Sequence, residues 1–503
     1  MADFITQTMN IIWSWPLLIL CLGAGVFFSW TTRFVQIRHF ANMWRQLFGG
    51  KNSTAGISSF QAFSVSLSGR VGVGNIAGVA TAIGFGGPSA VFWMWVVAFF
   101  GASTAYIEST LGQIYKTQLH GQFRGGPAFY FEKCLGLRWF ALLFAVSSVI
   151  ACGLFLPETQ ANAVGNAVIE MIGERGHLIA TPFGEISEYK LYTLLFILTV
   201  LGIIIFGGVK RIATVTQYLV PFMALAYVTM AAVILMAHFR DIPAIFSLIF
   251  SDIFNPQAGL GAALGWGVKR GVYSNEAGQG SGPHAAAAAE VDHPAQQGLV
   301  QAFSVYIDTL LICTATALMI LITQKYNIQG ALPDGQFLTQ YIDASAKINS
   351  ADFTQMAVTT TFGQFGNSFV AAAVLLFAFT TILAYYYIAE TNVAYLNQFW
   401  QLPYALTAIK CLIMLAVSIG FLFGEAAVWG LGDIGVGIMA WQNIIGILLI
   451  SYLGSPAIKA LKDYEKQRKD KLTPLQFNPK ALGIQHATFW QTRYNEQQQS
   501  KDS

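Results

Sequence analysis

The chain has 503 residues, of which 55% are hydrophobic and only 11% are charged. Because a soluble domain carries about 25% charged residues, this composition excludes an ordinary soluble protein and indicates one that crosses a membrane many times. The net charge of +3 discriminates little, since the basic residues are concentrated in particular loops. The five cysteines have no metal-binding or redox spacing, so we expect buried free thiols.

Eleven hydrophobic spans are predicted, and the leading one is long enough to cross a membrane rather than to act as a cleavable signal. Nine are continuous, near residues 11–30, 88–115, 138–156, 190–208, 211–238, 297–324, 366–396, 403–423 and 434–453. Two more, near 60–85 and 262–290, are interrupted by glycine-rich segments. In the polar tail, Pro456–Lys471 is predicted to form a basic amphipathic helix beside anionic lipids. The residues after Leu472 are expected to be loosely ordered.

Basic residues predict the orientation of the spans, because cytoplasmic loops are enriched in lysine and arginine. They are concentrated in the tail and in the loops that follow spans one, three and five. All these segments lie on one side if the N-terminus is outside and the C-terminus is cytoplasmic. The opposite loops, 157–189 and 239–261, contain only Arg175 and Arg240.

The ten spans after the first divide into two sets of five with opposite orientation, and each set begins with an interrupted span. This pattern predicts an all-α polytopic membrane protein with a five-plus-five inverted repeat, the organisation of many secondary transporters. The expected divisions are an extra N-terminal span with a basic loop (1–55), a first repeat (56–240), a second repeat (241–455) and a tail (456–503).

The first interruption is Ser68–Gly78, with the sequence SGRVGVGNIAG. A helix broken at membrane depth exposes backbone groups that lipid cannot satisfy, so such a break survives where it lines a cavity or meets a ligand. If a helix restarts near Gly74 or Asn75, its N–H groups favour an anion such as a substrate carboxylate. The carbonyl groups of the preceding half-helix suit a hard cation. The alternative is that the glycines only allow close helix packing.

The second interruption is Gly271–Pro283, with the sequence GVYSNEAGQGSGP. Tyr273 can form the wall of an apolar pocket, and Ser274 and Asn275 offer acceptors for an ammonium group. Glu276 is a carboxylate at membrane depth, which is costly unless it is paired. We weigh a structural ion pair of Glu276 equally against direct contact with a ligand. Its candidate partners are Arg70, Lys269 and Arg270.

Other polar residues inside the spans have two interpretations each. Glu108, Asp308 and Glu390 are single carboxylates, expected at helix ends or in structural pairs, with a proton relay as the alternative. Gln160 and Asn162 follow Pro157 after the fourth span, so they cap a short helix or Gln160 reaches the substrate. Thr380 and Thr381 either bind a cation or bond back to their own helix.

The breaks resemble those of the alanine or glycine:cation symporter family. The matching runs are Leu67–Gly87 (LSGRVGVGNIAGVATAIGFGG), Phe92–Glu108 (FWMWVVAFFGASTAYIE) and Lys269–Pro283 (KRGVYSNEAGQGSGP). The similarity extends from about residue 11 to 455. It implies a leucine-transporter-like fold with two broken helices and sodium-coupled uptake of small neutral amino acids across a bacterial cytoplasmic (inner) membrane.

The resemblance also implies roles for individual residues. The implied substrate-binding residues are Gly74, Asn75, Gln160, Tyr273, Ser274 and Asn275. The implied sodium ligands are Thr380 and Thr381, with carbonyl groups near Gly69–Gly72 completing the site. Two departures from the family pattern, Val73 in place of threonine and Tyr273 in place of phenylalanine, leave the preference among glycine, alanine and a larger substrate open.

Sodium-coupled symport of alanine or glycine by alternating access is therefore the leading hypothesis, and no enzymatic activity is expected. The expected partners are the amino acid, membrane lipid and Na⁺ as the coupling ion, with no cofactor and no nucleic acid. One alternative is a proton-coupled or uncoupled carrier of the same fold, in which Glu108 or Glu276 titrates. A channel is less favoured, because a selectivity filter needs equivalent loops and the two breaks differ in sequence.

Overall fold

The computed structural model describes residues 2–49, 53–172, 177–181, 184–254, 256–333, 335–345, 348, 351–422 and 424–502. This part of the chain is mainly helical. The helices are α1 (Ala2–Ile12), α2 (Trp15–Thr31), α3 (Val35–Arg38), α4 (Phe40–Leu47), α5 (Ser59–Arg70), α6 (Ala77–Gly86), α7 (Ser89–Ile114), α8 (Pro127–Leu135), α9 (Arg138–Ile150), α10 (Leu156–Ile172), α11 (Glu188–Ile205), α12 (Gly208–Ala237), α13 (Ile242–Phe254), α14 (Leu260–Asn275), α15 (Gly282–Ala288), α16 (Pro294–Val305), α17 (Thr314–Ile322), α18 (Asp352–Phe362), α19 (Gln364–Trp400), α20 (Ala405–Leu422), α21 (Glu425–Leu453), α22 (Pro456–Lys469) and α23 (Thr488–Asp502).

Short antiparallel hairpins occupy three of the described loops. They pair β1 (Thr117–Leu119) with β2 (Gln122–Arg124), β3 (Leu178–Thr181) with β4 (Gly184–Ser187), and β5 (Asn327–Ile328) with β6 (Thr339–Gln340). In register, Thr117 lies opposite Arg124, Leu178 opposite Ser187 and Asn327 opposite Gln340.

Nine helical segments of the described chain are long and apolar enough to cross a membrane. They are Asp3–Thr31, Ser89–Ile114, Arg138–Ile172, Glu188–Ile205, Gly208–Ala237, Pro294–Ile322, Gln364–Trp400, Ala405–Leu422 and Ala427–Leu453. Together with the two interrupted helices, α5–α6 and α14–α15, they confirm the predicted set of eleven spans.

Local sequence explains both interruptions. Helix α5 ends at Arg70, and a 3₁₀ turn over Val73–Asn75 leads into α6. After α14 the chain passes through left-handed backbone at Glu276 (φ 56°), Gly278 (φ 84°) and Gly280 (φ 82°) before α15 begins. Glycine adopts this conformation without steric cost, whereas side chains disfavour it, so the two glycines make the second break feasible.

Corresponding elements of the two repeats pack against each other in the centre of the bundle. Half-helix α6 packs on α14 and α5 on α15, while α7 packs on α16 and α10 on α19. The broken helices are thus enclosed by the second and third spans of both repeats. This arrangement agrees with the predicted inverted repeat, and the exact domain boundaries stay a prediction.

The fourth span is longer than predicted. Instead of ending near residue 156, it continues from α9 through a π-helical turn, Ala151–Phe155, into α10. Proline at position 157 would clash with a carbonyl group four residues earlier in a regular helix, and the wider π turn relieves that clash. Gln160 therefore lies inside the bundle on a continuing helix, with a side chain that is 1% exposed.

The prediction of a loosely ordered segment after Leu472 is wrong. Phe477, Ile484, Ala487 and Trp490 are buried, and α23 follows them. Composition indicated disorder because the segment is polar on average. Its few apolar side chains are spaced so that they pack on the rest of the protein, and composition does not record that spacing.

Candidate functional site

The two breaks lie side by side. A Cβ atom built on Gly74 would lie 3.3 Å from Cδ1 of Tyr273 and 3.5 Å from Cα of Ser274. A side chain at position 74 would therefore press on the second break, and glycine permits the close approach. The structure brings these three predicted substrate-binding residues together.

Oxygen atoms of the first break and of α19 converge on one side chain. The Oγ1 atom of Thr381 lies 2.7 Å from the carbonyl oxygen of Ser68 and 2.9 Å from that of Phe377. The carbonyl oxygen of Val71 lies 3.3 Å away. A hydroxyl donates its proton to only one acceptor at a time, so Thr381 satisfies only one of these three carbonyl oxygens at once, and that of Phe377 also accepts the hydroxyl of Thr380 at 3.1 Å. Oxygen ligands of this kind suit a hard cation. We call these four residues the oxygen cluster.

The hydrogen bonds at the end of α5 explain which carbonyl groups are available. In a continuous helix, the N–H of Gly72 would bond to the carbonyl of Ser68. It donates instead to the carbonyl of Arg70 at 3.0 Å and to Oδ1 of Asn75 at 2.9 Å. Likewise the N–H of Asn75, the helical partner of the Val71 carbonyl, donates to the carbonyl of Gly72 at 3.2 Å. The carbonyls of Ser68 and Val71 are thereby released toward α19.

The structure places the two threonines predicted as sodium ligands differently, and their assignment to sodium stays a prediction. Thr381 lies in the oxygen cluster, but Thr380 donates to carbonyl groups of its own helix, including that of Leu376 at 3.0 Å. The carbonyl oxygens of the first break that lie near Thr381 are those of Ser68 and Val71, within or directly beside the predicted stretch Gly69–Gly72. Gly72 instead allows close approach, since a Cβ atom there would lie 2.6 Å from Oγ1 of Thr381.

Gln160 reaches the first break from α10. Its Oε1 atom accepts a hydrogen bond from the N–H of Val73 at 3.1 Å. This N–H group belongs to the turn that leads into α6, where the helix restarts and where an anion is favoured. An amide oxygen is an acceptor of the same kind as a carboxylate oxygen, so Gln160 marks a position that a carboxylate group fits.

A buried carboxylate that was expected to be structural lies between the two breaks. Asp308 accepts hydrogen bonds from Nδ2 of Asn75 at 2.6 Å and from Oγ of Ser274 at 3.0 and 3.1 Å. Oγ1 of Thr309 donates to it at 2.6 Å. None of the ion pairs between described residues includes Asp308. The residue lies in a π-helical turn, Tyr306–Cys313. Its isolation in an apolar span singled it out in the sequence, but did not indicate that it contacts both breaks.

The remaining residues of the second break have different surroundings. The ring of Tyr273 lies 5.8 Å from that of Trp429, and its buried hydroxyl points toward Gly432, where a Cβ atom would lie 3.4 Å away. The side chain of Asn275 accepts the N–H of Ala277 at 3.0 Å. Asn275 therefore stabilises the break itself, and its buried Nδ2 atom has no hydrogen-bond partner.

An ion pair between Arg70 and Glu276, one of the two interpretations of Glu276, is absent from the described residues. Arg70 donates to the carbonyl of Gln301 at 3.0 Å and to the hydroxyl of Ser304. Glu276 accepts the hydroxyl of Ser281 at 2.7 Å. The two charged groups therefore stabilise the breaks through separate neutral partners.

Two other carboxylates have the structural roles that were favoured for them. Glu108 accepts the N–H groups of Gly278 at 3.2 Å and Gly280 at 3.1 Å, so it fixes the backbone of the second break. Glu390 forms an ion pair with Arg124 at 3.2 Å. Hydrogen bonds of this kind reduce the cost of a buried carboxylate.

A buried charge cluster lies one helical turn from Tyr273. Asp433 of α21 accepts both terminal nitrogens of Arg270, at 3.0 and 3.1 Å, and lies 2.7 Å from Nζ of Lys269. Trp266 packs against both cations. Asp433 could not be selected from the sequence, since its partners are distant in the chain.

Comparisons with known proteins identify relatives over most of the chain. A family model described as "Sodium:alanine symporter family" matches residues 1–478. The "Putative sodium/proton-dependent alanine carrier protein YrbD" of Bacillus subtilis (strain 168) is 50% identical over 498 residues, 98% of both chains. The "Sodium/proton-dependent alanine carrier protein" of Bacillus sp. (strain PS3) is 45% identical over 459 residues, 90% of this chain and 98% of that protein.

A solved structure supports the fold. The crystal structure of MhsT in complex with L-phenylalanine is 13% identical in sequence and superposes with a TM-score of 0.55, covering 82% of this chain and 99% of that chain. The chain thus has the leucine-transporter-like fold that the family resemblance implied.

Proposed function

Because the chain belongs to the sodium:alanine symporter family, we propose that it imports small neutral amino acids, alanine and glycine first among them, together with sodium by alternating access. The chain is a multi-pass membrane transporter, and its relatives are named as carriers rather than enzymes. Alanine is preferred in this proposal because both relatives described above are named as alanine carriers.

The observation that carries the proposal is the oxygen cluster. Sodium bound there would take oxygen ligands from Ser68, Val71, Phe377 and Thr381. Two of these residues belong to the first break, so the ion would fix the end of α5 against α19. The same break presents the N–H of Val73. Sodium and the substrate carboxylate then favour one backbone geometry, and each raises the affinity for the other.

The substrate would lie between the two breaks. Its carboxylate would take the N–H groups near Val73 and Gly74, and its ammonium group would lie near Ser274 and the acceptors of the second break. Tyr273 would limit the side chain, since its ring would lie only 3.3 Å from a Cβ atom at position 74. A methyl side chain fits this arrangement better than a long one.

The orientation completes the proposal. With the N-terminus outside, the tail and the loops rich in arginine and lysine are cytoplasmic, as expected for a bacterial inner-membrane protein. Half-helices α5 and α15 then line the cytoplasmic half of the pathway, and α6 and α14 line the outer half. The repeats would follow the divisions at 56–240 and 241–455.

Proton coupling is the second candidate, and Asp308 is the observation that favours it. This carboxylate contacts both breaks through Asn75 and Ser274, and a proton bound there would alter both contacts. In contrast, Glu108 is held by two backbone N–H groups. If protons drive uptake, Asp308 is therefore the expected site.

Uptake of radiolabelled alanine into proteoliposomes tests the proposal. We expect accumulation under an inward sodium gradient, none at equal sodium, and competition by unlabelled glycine. If a proton gradient alone drives accumulation, and Asp308→Asn abolishes it, then the proton and not sodium is the coupling ion. Flux that does not saturate with alanine concentration would instead indicate a channel.

A further inference from the structure

The end of the tail is anchored in the body of the protein. Trp490 is 1% exposed, and its Nε1 atom donates to the carbonyl of Gln113 at the end of α7, at 2.8 Å. The neighbouring Phe489 packs edge-on against Phe123, with ring centroids 5.0 Å apart. Nζ of Lys116 lies over the rings of all three aromatic residues, at 4.4 to 5.3 Å. A buried tryptophan of this kind contributes several kcal/mol to the association of two elements.

The same region holds the segment that follows α15. Lys116 donates to the carbonyl of Ala289 at 2.9 Å. From α23, Arg493 donates to Glu290 at 2.5 Å and lies 3.8 Å from Asp292. We call residues 289–293 the inner strip. The inner strip is therefore contacted from two sides, by the tail through Arg493 and by Lys116 just after α7.

The inner strip in turn fixes the start of α5. The N–H of Ile57 donates to the carbonyl of Ala288 at 3.0 Å, and the N–H of Glu290 donates to the carbonyl of Ile57 at 2.8 Å. Ile57 directly precedes Ser58, the N-cap of α5. The tail is thus connected, through one short strip, to both inner half-helices of the broken spans.

Helix α22 adds a second set of contacts. Glu465 forms ion pairs with Arg38 at 2.9 Å and His39 at 2.8 Å, and Asp463 lies 3.2 Å from Nε2 of His293 at the end of the inner strip. The tail therefore connects the inner strip to the α3–α4 segment as well. These contacts involve elements from both ends of the chain.

We propose that residues 477–502 form an autoinhibitory clamp, which holds α5 and α15 together when docked and must loosen for the cytoplasmic side to open. The inference rests on the proposed function, because alternating access requires the inner half-helices to separate. The family model ends at residue 478, before α23.

Two buried positions report on the clamp without measuring transport. Ala487 is 3% exposed in the tail, and Ser64 is fully buried in α5 with no hydrogen-bond partner for its hydroxyl. Ala487→Cys would react with a membrane-impermeant maleimide when the tail undocks, and Ser64→Cys when α5 moves. The background carries Cys134→Ser and Cys411→Ser, because the other native cysteines are buried.

The perturbation is a charge reversal. Arg493→Glu places a negative charge beside Glu290 and Asp292. We expect the resulting repulsion to raise the labelling rates at both reporters by about tenfold or more. Adding Glu290→Arg should restore both rates. Thr492→Ala, an exposed substitution on the same helix, should change neither. Trp490→Ala should act in the same direction as Arg493→Glu.

Four outcomes are distinguishable. Faster labelling at both reporters, reversed by the charge swap, supports the clamp. Faster labelling at position 487 alone would overturn it, because the tail would then undock without releasing α5, and unchanged labelling at both would also overturn it. If the labelling behaves as expected but alanine is not transported, the proposed function fails while the clamp stands.

Discussion

Removing one hydroxyl from the oxygen cluster should weaken sodium binding selectively. Thr381→Val keeps the shape of the side chain but removes the Oγ1 atom, which lies within 3.3 Å of three carbonyl oxygens. The carbonyl groups of Ser68, Val71 and Phe377 remain. We therefore expect a transporter that still binds sodium with three protein ligands.

The magnitude follows from the lost ligand. A polar contact to a charged group contributes about 1.5–3 kcal/mol, and about 1.4 kcal/mol corresponds to a factor of ten in affinity. A loss of about 2 kcal/mol therefore raises the sodium concentration for half-maximal uptake by about 30-fold. Alanine affinity measured at saturating sodium should change little, because the N–H groups of the first break are untouched.

The assay is alanine uptake into proteoliposomes as a function of sodium concentration. Thr380→Val is the matched control, since Thr380 is equally buried but bonds to its own helix. It should leave the sodium dependence within about threefold of the unaltered protein, a change of less than about 0.7 kcal/mol. Equal shifts in both variants, or none in Thr381→Val, would refute the assignment of the cation to the oxygen cluster.

Further predictions concern backbone space, buried charge and pH. Gly72→Ala would place a methyl carbon 2.6 Å from a hydroxyl oxygen of the oxygen cluster, so sodium-driven uptake should be lost while the protein still folds; normal uptake would show that the break can shift. Asp433→Asn leaves two buried cations without their counter-ion, and a loss of about 3–5 kcal/mol of stability should appear in thermal unfolding of the detergent-solubilised protein; an unchanged midpoint would contradict this. Burial lowers the pKa of Lys116 to about 7. The negative charge of Glu290 opposes this shift, and the positive charge of Arg493 adds to it. The docked tail then binds fewer protons than the undocked one between pH 7 and the ordinary lysine pKa of about 10.4, so docking should tighten as pH rises through that window. Labelling of Ala487→Cys measures this effect, and labelling that accelerates with pH beyond the intrinsic thiol reactivity of an exposed control cysteine would contradict it.

The spans and breaks could be predicted because their signals are local. Hydrophobic length determines a span, and glycine runs such as the one containing Gly278 and Gly280 reveal where backbone must leave the helix. The pairing of the breaks followed from their positions in two sets of five. Nothing beyond neighbouring sequence was needed for these features.

The carbonyl groups of the oxygen cluster and the fold of the tail could not be predicted, for different physical reasons. The carbonyl of Ser68 faces Thr381 because Asn75 accepts the N–H of Gly72, which would otherwise bond to that carbonyl. Such a detail of hydrogen bonding cannot be inferred from residue composition. Asp308 matters because two distant segments meet it. The fold of the tail depends on a few aromatic side chains, above all Trp490, finding partners more than three hundred residues away in the chain.

The hydrogen bond from the N–H of Val73 to Gln160 would compete with the substrate carboxylate of the proposed function for the same N–H group. A cargo carboxylate that takes the N–H of Val73 has to displace an acceptor tethered to the same molecule, whose effective concentration is high. That competition would lower the affinity for substrate. The N–H group would, however, always have an acceptor, and an unsatisfied N–H group in an apolar interior costs several kcal/mol. Under the proposed function, the carrier would return without substrate while the N–H of Val73 stays bonded to Gln160, so the glutamine would ease the return half of the cycle at the expense of tight binding.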